Sequence, residues 1–65
     1  MLQTILFPTK DWTKQSAVLW LMNHGHSFTD IDVTPNFLRF RQQTPRRGRY
    51  YTKTLPNGIE LVYQE

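Results

Sequence analysis

Apolar positions recur at two spacings along this chain, and the change from one to the other marks out its elements. Leu2 to Phe7 alternates loosely and is rich in β-prone side chains, with Pro8 to end it, which predicts a short strand. Ala17, Trp20, Leu21 and His24 then fall at i, i+3, i+4 and i+7, one face of a helix. Thr13 is suited to cap that helix, Trp12 ahead of it is placed to pack back on Ala17, and Gly25 supplies the left-handed residue that closes it. The helix therefore runs from Thr13 to His24. Val18, Leu19 and Met22 lie off its main stripe, an apolar excess that fits a partner surface or a homodimer.

From Ser27 the period becomes two. Phe28, Asp30 and Asp32 alternate with Thr29, Ile31 and Val33, so SFTDIDV reads as a strand with a polar and an apolar face. Thr34-Pro35-Asn36 punctuates, with Asn36 suited to the turn. Phe37 to Gln42 alternates again. Burying Leu38 and Phe40 puts Phe37, Arg39 and Arg41 on the exposed side, while Gln42 is placed to satisfy a backbone group near the strand end. Thr44 to Gly48 reads as a loop. Tyr50–Leu55 and Ile59–Tyr63 are strands of a hairpin, because Pro56-Asn57-Gly58 between them has proline at the second turn position and a glycine free to take positive φ. Tyr50 and Tyr51 point to opposite faces, one expected in the core and one exposed. The fold class is α+β, one helix packed on a small antiparallel sheet in the order β-α-β-β-β-β, as a single small domain over residues 1–65.

Sixty-five residues without cysteine leave apolar burial as the sole source of a core. Nine aromatic residues help to supply it. The opening MLQTILFPTK has too short an apolar stretch, and no basic region before it, to read as a secretory signal, and no segment approaches membrane-spanning length. An intracellular compartment is the expectation, with no membrane partner.

Charge changes the picture more. The net charge of +3 conceals −1 over residues 1–38, +6 over 39–53 and −2 over 54–65. The basic segment, RFRQQTPRRGRYYTK, carries Arg39, Arg41, Arg46, Arg47, Arg49 and Lys53 among Phe40, Tyr50 and Tyr51, with no acidic residue between them. Guanidinium groups interleaved with rings suit a polyanion that also offers flat faces, so the candidate binding residues are these six cations with Phe37, Tyr50 and Tyr51. The expected partner is nucleic acid, DNA or RNA. An acidic protein surface is the alternative, and simple solvation of a small domain would use the same charges.

Catalysis finds little footing. His24-Gly25-His26 would need Asp30 or Asp32 as a third metal ligand, and the blander account ends the helix at His24 and starts the next segment at His26. Asp30 and Asp32 share a strand face, where they are placed to pair with Arg39 or Arg41 on a neighbouring strand. No nucleophile elbow or phosphate-cradling glycine loop is present. We expect a non-enzymatic protein with no cofactor and no metal.

The residues Ala17, Trp20, Leu21, His24 and Gly25, then Asp32, Thr34, Asn36, Arg39, Phe40, Arg41 and Gln42, then Pro45, Thr52, Lys53, Gly58, Ile59, Leu61 and Val62 form a pattern. It resembles a small module of phage and prophage proteins found in XkdF-like sequences from head-morphogenesis regions. The resemblance covers nearly the whole chain from residue 13 on. It implies a phage or prophage origin, in the cytoplasm of a bacterial host or on the virion, and a stand-alone accessory domain; it carries over no catalytic residues. A phage protein-interaction module, acting on a host enzyme or in head assembly through the apolar helix face and the basic surface, is the rival function.

Overall fold

Ile5 and Phe7 alternate with Thr4 and Leu6 along the first strand, and this parity sets the two faces of the whole sheet. In the computed structural model, which describes residues 1–44 and 46–65, the chain forms β1 (Leu2–Pro8), α1 (Lys14–Asn23), β2 (Ile31–Val33), β3 (Phe37–Arg41), β4 (Tyr50–Thr54) and β5 (Glu60–Gln64). This is the expected α+β class and element order. The strands lie in the order β2-β3-β1-β5-β4, and every neighbouring pair is antiparallel.

Ile5 stands opposite Phe40 on one side and Leu61 on the other, and Phe7 stands opposite Leu38. Residues opposite one another share a face. α1 lies on that face, where Ala17 and Leu21 join Ile5, Phe7, Leu38, Phe40 and Ile59 in one buried cluster. Phe7 is its centre: Trp12, Trp20 and Phe40 meet it edge-on, with ring centroids 5.1, 5.8 and 5.5 Å away. Edge-to-face packing of this kind adds to the burial itself.

The helix begins and ends where its caps dictate. The Thr13 hydroxyl accepts from the Ser16 N–H at 3.1 Å, while the Ser16 hydroxyl accepts from the Thr13 N–H at 3.0 Å, a capping box built with serine. Gly25 at φ 73° turns the chain out of the helix. His24, expected on the buried stripe, is exposed instead. It is the cap residue itself, and its ring stacks on Trp20 at 3.8 Å while Nδ1 donates to the Trp20 carbonyl at 2.8 Å. His26 lies parallel to the same indole at 6.0 Å. Among the described residues, no three His, Asp or Glu side chains gather as a metal site.

β2 is shorter than the alternation predicts. Ser27 to Asp30 lie outside it: β3 stops at Arg41, whose N–H donates to the Asp30 carbonyl at 2.9 Å, and beyond that pair the partner offered is a side chain. Gln42 Oε1 accepts from the Ser27 N–H at 2.9 Å and its Nε2 donates to the Ser27 carbonyl at 2.8 Å. The β4–β5 hairpin follows its turn chemistry: Gly58 N–H donates to the Leu55 carbonyl at 3.0 Å, and Gly58 sits at φ 87°. No helix is long and apolar enough to cross a membrane among the described residues.

Candidate nucleic-acid interface

The face opposite α1 is uncovered, and the register fixes what it displays. Asp32, Arg39, Leu6, Glu60 and Thr54 stand in one transverse row across all five strands. Arg41, Thr4, Val62 and Thr52 form the next row, with Tyr50 beyond them opposite Gln64. Leu38 and Phe40, buried on the helix side, hold Arg39 and Arg41 on the open side, as the alternation predicts. Gln3, Thr4, Leu6, Arg39, Arg41, Tyr50 and Val62 line a shallow concavity of about 230 Å³. Aliphatic floor, two guanidinium groups and a phenol therefore meet at one place.

The aspartates meet the ridge arginines as their spacing suggests. Arg39 lies 3.9 Å from Asp32 and Arg41 lies 3.8 Å from Asp30, with all four side chains well exposed. Such pairs are loose, and water and salt screen them. They reduce the positive potential of β3 without removing its donors.

Gln42 to Arg49 carries the chain from β3 to β4 across the ends of β1 and β5. A span of three strand spacings, about 14 Å, must be bridged, and the loop is tied down along the way. Gln42 N–H donates to the Gln3 carbonyl at 2.7 Å, and Gln3 Nε2 donates to the Gln43 carbonyl at 2.7 Å. The Tyr50 hydroxyl donates to the Arg46 carbonyl at 2.6 Å and accepts from the Arg46 N–H at 3.3 Å. Gln64 Nε2 donates to the Arg47 carbonyl at 3.2 Å, and Glu65 N–H to that of Arg49 at 3.0 Å. Backbone groups are thus held while the side chains of Arg46, Arg47 and Arg49 stay exposed. Among the described residues, neither ion pair involves these three; Glu65 shares a cleft with Arg46 and Arg47. Pro45, assigned to this loop from the sequence, lies outside the described residues.

The nine candidate residues do not form one surface. Arg39, Arg41 and Tyr50 converge on the open face, and Arg46, Arg47 and Arg49 occupy the loop at its end. Phe37 shares that face but sits half-buried at the other end of β3, beside a cleft of about 650 Å³ lined with Pro8, Pro56 and Glu60. Lys53 and Tyr51 are on the opposite face, since Lys53 pairs with Leu61 and Tyr51 with Tyr63. Tyr51 stacks on Tyr63 at 5.2 Å. The expectation that one of Tyr50 and Tyr51 enters the core fails, because both lie on the edge strand and are 45% and 51% exposed. Thr4, Leu6 and Val62 were not singled out from the sequence. The alternation of Thr4 and Leu6 with Ile5 and Phe7 was the available signal.

No family model, curated protein or solved structure matches this chain.

Proposed function

We propose that this protein is a non-enzymatic module that binds single-stranded nucleic acid on the open sheet face. Arg39, Arg41 and the loop residues Arg46, Arg47 and Arg49 neutralise phosphates, while Tyr50, with Leu6 and Val62 beneath, receives a base. The observation that carries this is the convergence of Arg39, Arg41 and Tyr50 on the face that α1 leaves bare. A duplex fits less well. α1, the one helix among the described residues, carries only Lys14 as a cation, so it lacks the basic side chains of a groove-reading helix. An open sheet with an aromatic ring and flanking arginines suits unstacked bases. The motif-level likeness to the phage module supports a phage or prophage setting for this activity.

Filter binding of single- and double-stranded DNA and RNA at two salt concentrations tests it. Single strands should bind more tightly than duplexes of the same sequence, with affinity falling as salt rises. Absence of binding at low salt contradicts the proposal, as does equal competition by a polyanion without bases.

One observation favours the interaction module. Leu19 and Met22, one turn apart on the outer side of α1, are 54% and 55% exposed. Val18, grouped with them in the sequence, packs against the core instead. Leu19→Glu would abolish capture of a protein partner and leave oligonucleotide binding unchanged.

A further inference from the structure

In an antiparallel strand the peptide groups point alternately to the two sides, and among the described residues β4 has a neighbouring strand on one side only. Leu55 N–H donates to the Ile59 carbonyl at 2.8 Å, and the Arg49 carbonyl accepts from Glu65 N–H at 3.0 Å. Arg49 and Leu55 therefore turn toward β5, and by alternation so do Tyr51 and Lys53. The peptide groups of Tyr50, Thr52 and Thr54 face outward, with no strand beyond them among the described residues. All five residues of β4 are exposed.

Sheet edges are normally blunted by shortness, proline or charge. β2, the other edge, is three residues long, carries Asp32 at its centre and is followed closely by Pro35. β4 has five residues, no proline, and a Tyr-Tyr-Thr-Lys-Thr sequence of high strand preference. Its one charge, Lys53, points to the helix side.

We propose that β4 pairs antiparallel with β4 of a second copy about a two-fold axis at Thr52, joining two sheets into one. The residue order selects that register. With the axis at Thr52, each outward-facing residue meets another: Thr52 meets Thr52, and Tyr50 meets Thr54 of the other copy. Each such pair exchanges hydrogen bonds in both directions. Tyr51 then stands opposite Lys53 of the other copy in a non-hydrogen-bonded pair, where side chains approach most closely and a cation can lie against a ring. Moving the axis to Lys53 sets ammonium opposite ammonium. Moving it to Tyr51 leaves Thr54 without a partner in β4. The Thr52 register is isologous, as a two-fold dimer requires. Residues opposite one another share a face, so both open faces lie on one side and both helices on the other. The pairing rests on strand geometry and is independent of what the open face binds.

Sedimentation equilibrium without nucleic acid, over micromolar to millimolar protein, tests the proposal alongside four variants. Wild type forms a dimer. Thr52→Pro removes only an outward N–H, so circular dichroism shows the fold retained, while dimerisation weakens at least about tenfold. Leu19→Glu leaves the dimer intact. The chain has no cysteine, so Thr52→Cys places a single thiol per copy. Its Cα partner would lie about 5.5 Å away, within disulfide reach, and oxidation gives a covalent dimer. Thr54→Cys, opposite Tyr50, cross-links far more slowly. A monomer at every concentration overturns the proposal and leaves the edge to a strand of another protein. A dimer broken by Leu19→Glu but not by Thr52→Pro overturns it in favour of the helix face, and equal cross-linking at both positions overturns the register.

Discussion

The Arg41 guanidinium lies 3.8 Å from the Asp30 carboxylate, with the two side chains 42% and 59% exposed. Arg39 and Asp32 repeat the arrangement at 3.9 Å. Both pairs arise because β2 and the residue before it, Asp30, run beside β3, and both place a carboxylate next to the proposed phosphate contacts. Asp30→Asn/Asp32→Asn therefore separates folding from binding. Stability should change by less than about 1 kcal/mol, the usual worth of exposed pairs, while affinity for a single strand increases. Urea denaturation and a binding isotherm on the same sample check both halves.

Arg46→Ala/Arg47→Ala should weaken single-strand binding without unfolding the loop. The bonds holding this segment use the Arg46 peptide and the Arg47 carbonyl, which survive truncation to alanine. Losing two phosphate contacts on a single strand makes the log–log salt slope shallower by about 1.4. An unchanged slope removes these two side chains from the interface.

Tyr50→Phe keeps the ring on the open face and deletes both hydroxyl bonds to the Arg46 peptide. The loss is about 0.5–1.5 kcal/mol of local stability, read as faster hydrogen exchange at the Arg46 amide. Base stacking persists in Tyr50→Phe and is lost in Tyr50→Ala.

Gln42→Ala releases the Ser27 peptide from its side-chain clasp. A destabilisation of about 1–2 kcal/mol is expected from the lost bonds, with the connection from α1 to β2 loosened first. Thermal denaturation measures the total, and hydrogen exchange at Ser27 locates it.

Phe40→Ala removes a fully buried ring beside Phe7. Such truncations cost about 3–5 kcal/mol. In a chain of this size that is most of the folding free energy, so the urea midpoint should fall close to zero.

Much of this architecture was legible in the sequence, for local reasons. Thr13 and Gly25 bound the helix through cap chemistry that depends on a few neighbouring residues. Pro56-Asn57-Gly58 sets the hairpin in the same way, and the alternation around Phe40 puts Arg39 and Arg41 together. Strand parity also separates Lys53 from Tyr50, a distinction that charge clustering alone hides. Whether Tyr50 shares a face with Arg41 depends on the strand order β2-β3-β1-β5-β4, fixed by long-range pairing through β1 and β5. β2 was overextended because alternation reports which way side chains point, while strand length depends on where a partner strand ends.

The most direct measurement is an amide chemical-shift titration of the labelled protein with a short single-stranded oligonucleotide. The account predicts that perturbed amides cluster at Thr4, Leu6, Arg39, Arg41, Val62 and the Arg46–Tyr50 segment, with α1 silent. Perturbations centred on Leu19 and Met22, or none at saturating oligonucleotide, would contradict it.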